Sequence, residues 1–183
     1  DKDVYKYKQI ASRISSYKNN LITVKAYYEN PELQEADAMA KHPRLGDIYR
    51  NYVDRCFKAG AMDFDDLLLR TNEWRNVFPE VLAKYQHRFR YILVDEYQDT
   101  NHSQYLIVRA LADRFQNICV VGDDAQSIYA FRGANIDNIF NFQKDYRNVG
   151  VYRLEQNYRS TRNIVEAANN VIEHNKARLE KVV

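Results

Sequence analysis

Apolar residues in the first sixty positions recur at helical spacing. Val4, Tyr7, Ala11 and Ile14 fall on one stripe, and Ile48, Tyr52 and Cys56 line up with Tyr49, Val53 and Phe57 beside them. Each set predicts an amphipathic helix. Between them the pattern over Leu21 to Tyr28 is open: its β-branched residues permit a strand, and Thr23 could equally cap a short helix. Pro31 and Pro43 punctuate the stretch before the second helix. Gly60 is placed to end that helix, and a new one is expected near Asp63 with Phe64, Leu67 and Leu68 turned inward. From Pro79 onward helix and strand patterns alternate. A helix over 79–87 leads to a strand over 90–94, and a helix over 103–113, capped by Ser103, leads to a strand from Ile118 to Val121. A helix from about Asn135, burying Ile136, Ile139 and Phe140, leads to a third strand from Gly150 to Leu154. Thr161 to Arg178 then places Ile164, Ala167, Ala168, Val171 and Ile172 on one helical face. The pattern predicts an α/β fold, a parallel sheet with flanking helices preceded by a helical subdomain.

The strand ends carry the candidate chemistry. Tyr91-Ile92-Leu93-Val94 is too short for a helix's buried stripe but suits a strand covered on both faces, and it stops at adjacent carboxylates, Asp95 and Glu96. In open parallel sheets ligands sit at the carboxyl ends of strands. One carboxylate there can hold Mg²⁺ while its neighbour orients a water, and a solvated polar strand end is the plainer alternative. The second strand ends in Gly122-Asp123-Asp124-Ala125-Gln126, where glycine allows a sharp turn that sets Asp123 and Gln126 beside the first pair. Tyr129, Phe131 and Arg132 come next, within four residues. Such interleaved rings and a guanidinium suit stacking on unpaired bases and contacting phosphate, although single aromatics more often serve a core. After the third strand Arg159 stands at a strand-to-helix junction, able to reach a phosphate or simply to pair with a carboxylate.

Composition narrows the class. The 183 residues suffice for one good core, 45% are hydrophobic and 28% charged, and no apolar run approaches the roughly 20 residues that span a bilayer. The expected class is therefore a soluble, cytoplasmic protein without a membrane role. Cys56 and Cys119 read as small buried hydrophobes, and neither they nor the four histidines show metal-ligand spacing. Net charge is +2, but residues 1–62 carry 11 Lys/Arg against 8 Asp/Glu, residues 63–150 carry 10 against 13, and residues 151–183 carry 6 against 4. The acidic excess surrounds the Asp95-Glu96 strand, where it suits a metal, and the mildly basic flanks are compatible with a polyanion.

Taken together the three strand ends resemble a known set. Asp95-Glu96-Tyr97-Gln98-Asp99-Thr100-Asn101, Gly122-Asp123-Asp124-Ala125-Gln126-Ser127-Ile128-Tyr129-Ala130-Phe131-Arg132-Gly133-Ala134 and Leu154-Glu155-Gln156-Asn157-Tyr158-Arg159-Ser160 look like motifs II, III and IV of UvrD/PcrA/Rep-type superfamily I DNA helicases. Met62-Asp63-Phe64-Asp65-Asp66-Leu67-Leu68 resembles the segment that re-enters the first motor domain in that family. The resemblance implies a partial RecA-like sheet. It implies that Asp95 coordinates Mg²⁺, that Glu96 activates the attacking water, and that Gln126 links the γ-phosphate to the DNA site. Tyr158 would lie against the adenine of ATP, Arg159 would touch the γ-phosphate, and Tyr129, Phe131 and Arg132 would contact single-stranded DNA. Ala125 and Phe131 depart from the common pattern, which often has Asp and Trp there. Phe keeps a stacking face, so weaker stacking is expected.

A phosphate-cradling turn ending in Gly-Lys-Ser/Thr is missing. The glycines at 46, 60, 122, 133 and 150 are none of them followed by lysine, and the chain opens at Asp1. The expectation is an internal piece of a longer helicase: a helical 1B-like subdomain over 1–62, the later half of motor domain 1A over 63–150, and over 151–183 the strand and helix leading into domain 2A. The parent would be an ATP-dependent 3′–5′ translocase acting on single-stranded and junction DNA, while the isolated piece would be inactive and prone to self-association through an apolar sheet edge. The alternative is a standalone single-stranded nucleic-acid-binding module that has lost the motor.

Overall fold

A computed structural model describes residues 5–127 and 133–172. The chain divides into two compact units, one holding Asp1–Ile92 and Asn101–Asn117, the other Leu93–Thr100 and Ile118–Val183.

The first unit is helical: α1 (Tyr7–Asn19), α2 (Val24–Tyr28), α3 (Pro31–Met39), α4 (Leu45–Lys58), α5 (Phe64–Val77), α6 (Pro79–Arg88) and α7 (His102–Ala112). The ambiguity over 21–28 resolves to helix, because the Thr23 side chain accepts the Ala26 amide and caps α2. Gly60 closes α4 as expected. At φ +60° it sits in the left-handed region, its amide bonds Phe57 O and the Ala61 amide bonds Cys56 O, so a Schellman turn satisfies the last carbonyls.

The core of this unit is unusually phenolic. Ile10, Ile14, Tyr17, Tyr27, Leu45 and Tyr49 form it, with Ile22, Val24, Leu33, Ile48 and Val53 packed around. The inward stripe of α1 is thus rotated from the expected one: Tyr7 is 82% exposed, and Ile10, Ile14 and Tyr17 face in. On α4, Phe57 points outward and Cys56 is only half-buried. The phenols remain buried because their hydroxyls are satisfied. Tyr17 and Tyr27 donate to the buried Asp37 carboxylate, which Arg13 neutralises at 3.1 Å, and Tyr49 donates to Ile22 O at 3.0 Å.

Burial and the bond to Asp37 push the Tyr17 phenol up to about 12. A folded value above the unfolded ~10 means that the contribution is complete below pH 10 and is lost as pH climbs through 12. The urea midpoint should therefore fall from about pH 10 upward, in step with tyrosinate absorbance. Tyr17→Phe should shrink that slope, and an unchanged slope in the variant would contradict it.

α5 begins on a capping box. Asp63 accepts the Asp66 amide at 2.7 Å while Asp66 accepts the Asp63 amide at 3.2 Å. Against expectation Phe64 (89% exposed) and Leu67 face solvent. The inward face is Asp66, Leu69 and Asn72, because Lys18 on α1 is buried and bonds Asp63 at 2.7 Å and Asp66 at 2.8 Å. A paired carboxylate therefore sets the phase of the helix. Asn72 continues the seam by donating to the Ser103 hydroxyl at 2.9 Å, and α6 is tied to α7 by Gln86 donating to Ala110 O at 2.8 Å. Ser103 is thus a buried partner. The cap of α7 is Asn101, whose side chain accepts the Gln104 amide and whose amide donates to the Gln104 side chain.

The second unit contains the sheet. β1 (Ile92–Val94) and β2 (Ile118–Val120) are adjacent. The Ile92 amide bonds Asn117 O and the Val121 amide bonds Val94 O, so both strands advance together and the pair is parallel. The α/β class stands. One face is bare, however: Leu93 is 78% exposed, Cys119 is exposed and Val121 half so, where the apolar run predicts coverage on both faces. Residues 150–154 form no strand. A segment becomes a strand only when a neighbouring edge supplies ladder bonds, and among the described residues no backbone hydrogen bond does so for Val151, Tyr152 or Leu154, which are all exposed. α8 (Asp137–Asp145) buries Asn138 and Phe142, leaving Ile139 and Phe140 half-buried. α9 (Arg162–Ile172) has the expected amphipathic pattern with no buried residue, and the rest of that expected helix lies outside the described residues.

Candidate functional site

The two strand ends of the second unit are laced together. Beyond β1 the chain reaches Asp95, then Glu96 in the left-handed conformation at φ +50°, then a 3₁₀ turn over Tyr97–Asp99. A non-glycine residue held there costs about 1–3 kcal/mol and persists only where its surroundings impose it. Here they do. The Tyr97 amide bonds Val121 O at 2.9 Å, and the Tyr97 ring is buried edge-on against Phe142 of α8, with centroids 5.8 Å apart. Asn138 donates to Thr100 O at 3.0 Å, and the Thr100 hydroxyl donates back to Tyr97 O at 2.7 Å. Both ends of the turn are thereby fixed to β2 and α8.

The reversal at Glu96 folds the next side chains back beneath the carboxylates. Asp95 is exposed and accepts the Glu96 amide at 2.9 Å. Gln98 is fully buried: its Nε2 donates to Glu96 Oε2 at 2.7 Å and its Oε1 accepts the Asp123 amide at 3.0 Å. Asp123 in turn accepts the Ala125 amide and, through Oδ2 at 2.8 Å, the Gln126 side chain. Glu96, Gln98, Asp123 and Gln126 therefore make one continuous hydrogen-bonded chain across both strand ends. Gly122 lies against it, and a Cβ there would stand 2.7 Å from Gln98 Oε1 and 2.9 Å from Ile139 Cδ1. The constraint on Gly122 is steric.

Glu96 is thus linked to Gln126 through Gln98 and Asp123, and Asp95 adjoins Glu96 and accepts its amide. Gln98 has no role in the sequence reading. The available signal is its place two residues after Glu96, which in a tight turn returns a side chain to the same side. Tyr158 is 91% exposed, and Arg159 lies in a turn in which Asn157 Oδ1 accepts the Arg159 and Ser160 amides at 2.9 and 3.0 Å. Among the described residues no hydrogen bond or ion pair joins Arg159 to Asp95, Glu96 or Gln126. Tyr129, Phe131 and Arg132 lie outside the described residues.

The donor set suits a hard cation shared with a ligand. Magnesium keeps several waters and needs one or two carboxylates plus phosphate oxygens. Asp95 is exposed and spends one oxygen on the Glu96 amide, and no group of three or more His, Cys, Asp or Glu among the described residues forms a self-contained metal cage.

Residues 1–147 match the UvrD/REP helicase N-terminal domain. Among curated relatives, the ATP-dependent DNA helicase PcrA of Bacillus subtilis (strain 168) is 48% identical over 174 residues, covering 95% of this chain and 23% of its own length. The PcrA of Leuconostoc citreum is 45% identical over 181 residues, covering 99% and 23%. That of Staphylococcus epidermidis is 44% identical over 191 residues, covering 98% and 25%. The chain therefore spans about a quarter of the length of the curated relatives it matches. With the family match running through both laced strand ends, the chain belongs to the UvrD/REP helicase N-terminal domain family.

Proposed function

We propose that this chain is part of an ATP-dependent DNA helicase, a 3′–5′ translocase that couples ATP hydrolysis to movement along single-stranded DNA and to unwinding at duplex junctions. The observation that carries the reading is the hydrogen-bonded chain from Glu96 through Gln98 and Asp123 to Gln126, which holds a carboxylate at one strand end in register with an amide at the next. In this reading Asp95 would hold Mg²⁺, which screens phosphate charge when bound, and Glu96 takes the proton of the attacking water. Gln126 meets the γ-phosphate, Tyr158 lies against the adenine, and Arg159 reaches the γ-phosphate as part of the second motor domain. Tyr129, Phe131 and Arg132 stack on and clasp the single strand. Residues 1–62 serve as the 1B-like subdomain, 63–150 as part of 1A and 151–183 as the entry to 2A. The exposed helix α9 and the bare face of Leu93 and Val121 are the surfaces that the rest of the helicase chain covers. In its absence they favour self-association. Among the described residues no helix is long and apolar enough to cross a membrane.

Phosphate release is the direct test. The full-length protein should hydrolyse ATP, faster with single-stranded DNA, whereas the 183-residue chain alone, with no Gly-Lys-Ser/Thr turn, should give no turnover above background. Turnover by the chain alone, or none by the full-length protein, overturns the reading. Single-strand binding by the full-length protein should weaken with added salt, as phosphate contacts such as that of Arg132 release counterions, and a salt-independent anisotropy titration would count against that role for Arg132.

A further inference from the structure

We propose that Gln98 is a positioning residue that aims Glu96 and locks the 122–126 turn to it, so that the hydrolytic carboxylate and the phosphate-facing amide move as one body. The inference rests on the hydrolytic reading of Glu96 and extends it to a side chain that is wholly buried. Gln98 is fully buried, and its two side-chain bonds go in opposite directions: its Nε2 donor faces Glu96 Oε2 at 2.7 Å, and its carbonyl receives the Asp123 amide at 3.0 Å. A primary amide is suited to this place because it combines a donor and an acceptor on one planar group. Glu96 is exposed and Gln98 is its only side-chain partner among the described residues, so without Gln98 the carboxylate swings freely. On the other side, the Asp123 amide opens the turn whose side chain holds Gln126 at 2.8 Å. Gly122 gives the amide its room, since any Cβ would collide with Gln98 Oε1.

Three substitutions in the full-length protein separate the two halves of the link. Gln98→Leu removes both bonds. Its kcat for DNA-stimulated ATP hydrolysis should fall about 10–100-fold with little change in KM for ATP, the scale typical of losing a partner that orients a reacting group. Hydrogen exchange at the Asp123 amide should quicken. Gln98→Glu keeps an acceptor for Asp123 but sets a second carboxylate against Glu96. The amide should stay protected, and kcat should be lowered as in Gln98→Leu with KM for ATP again little changed, because the donor to Glu96 is lost while the acceptor for Asp123 is kept. Gly122→Ala leaves Gln98 in place but displaces its carbonyl, and should lower kcat in the same sense as Gln98→Leu. Wild-type kcat in Gln98→Leu or in Gln98→Glu, or equally quickened exchange at the Asp123 amide in both, overturns the proposal. If wild-type protein shows no ATP turnover, the hydrolytic reading has failed separately. Amide exchange still decides the link, because unchanged protection of Asp123 in Gln98→Leu would refute it.

Discussion

Lys18→Met should destabilise this chain by about 3–5 kcal/mol, the scale seen when one partner of a buried ion pair is removed. The Lys18 side chain is wholly buried, with its ammonium 2.7 Å from Asp63, 2.8 Å from Asp66 and 4.8 Å from the centre of the Tyr52 ring. Methionine preserves the apolar stem and most of the volume, so the loss isolates the charge. Asp66 is then left buried without its cation, and the capping box of α5 is left with two carboxylates facing each other at its start. Against a total stability typical of single domains, about 5–15 kcal/mol, this is a large fraction. The pH dependence gives an internal check. Burial alone would raise the Asp63 carboxyl, but hydrogen bonds from Lys18, Tyr52 and the Asp66 amide outweigh it and hold the group below its usual range. A depressed carboxyl stabilises above its unfolded value of ~3.9, and the contribution is lost as pH falls through the folded value. The gap between wild type and Lys18→Met in urea denaturation should therefore narrow below about pH 4. Lys25→Met removes an 84%-exposed lysine with a 3.8 Å partner and should change stability by less than ~0.5 kcal/mol. Equal effects of the two substitutions would show that burial of Lys18 contributes nothing.

Lys18 also shows where sequence reading stops. On a helical wheel it reads as one more solvated cation of α1, and nothing in the sequence near it announces carboxylates some 45 residues away. The start of α5 is legible because an Asp-x-x-Asp cap is local chemistry, but its phase is not, because the inward face begins on a charged residue, Asp66. The same holds for α7. Asn101 and Ser103 are both competent caps, and the choice is made by Asn19, which accepts from Asn101 at 2.7 Å, and by Asn72, which occupies Ser103. Local periodicity finds the two strands and most helices. It overstates the third strand, since hydrogen-bonding partners for Val151 to Leu154 are a non-local matter. In the site, the residue types and their order carry the family. The left-handed Glu96 and the bridging Gln98 are not legible there, because a positive φ at glutamate has no compositional signature.

Glu96→Gln in the full-length protein should lower kcat for DNA-stimulated ATP hydrolysis by about 10²–10⁴-fold, the range for removing a general base, with KM for ATP nearly unchanged. The substitution tests chemistry apart from geometry for a reason visible in the structure. Glutamine keeps an oxygen where Gln98 Nε2 donates, and it makes no new demand on the left-handed backbone that Glu96 already tolerates. The turn, the Asp123 amide and Gln126 should therefore remain in place, and only proton acceptance is lost. Glu96→Ala is a poorer test, since it also strands the buried Gln98 donor and would merge a structural loss with the catalytic one. The two variants together form a scale. If Glu96 acts as the base, Gln and Ala at position 96 should give similarly low kcat, and only Ala should speed exchange at the Asp123 amide. Near-wild-type turnover in Glu96→Gln would instead mean that the carboxylate serves only to complete the hydrogen-bonded chain, and that the proton of the attacking water leaves by another route.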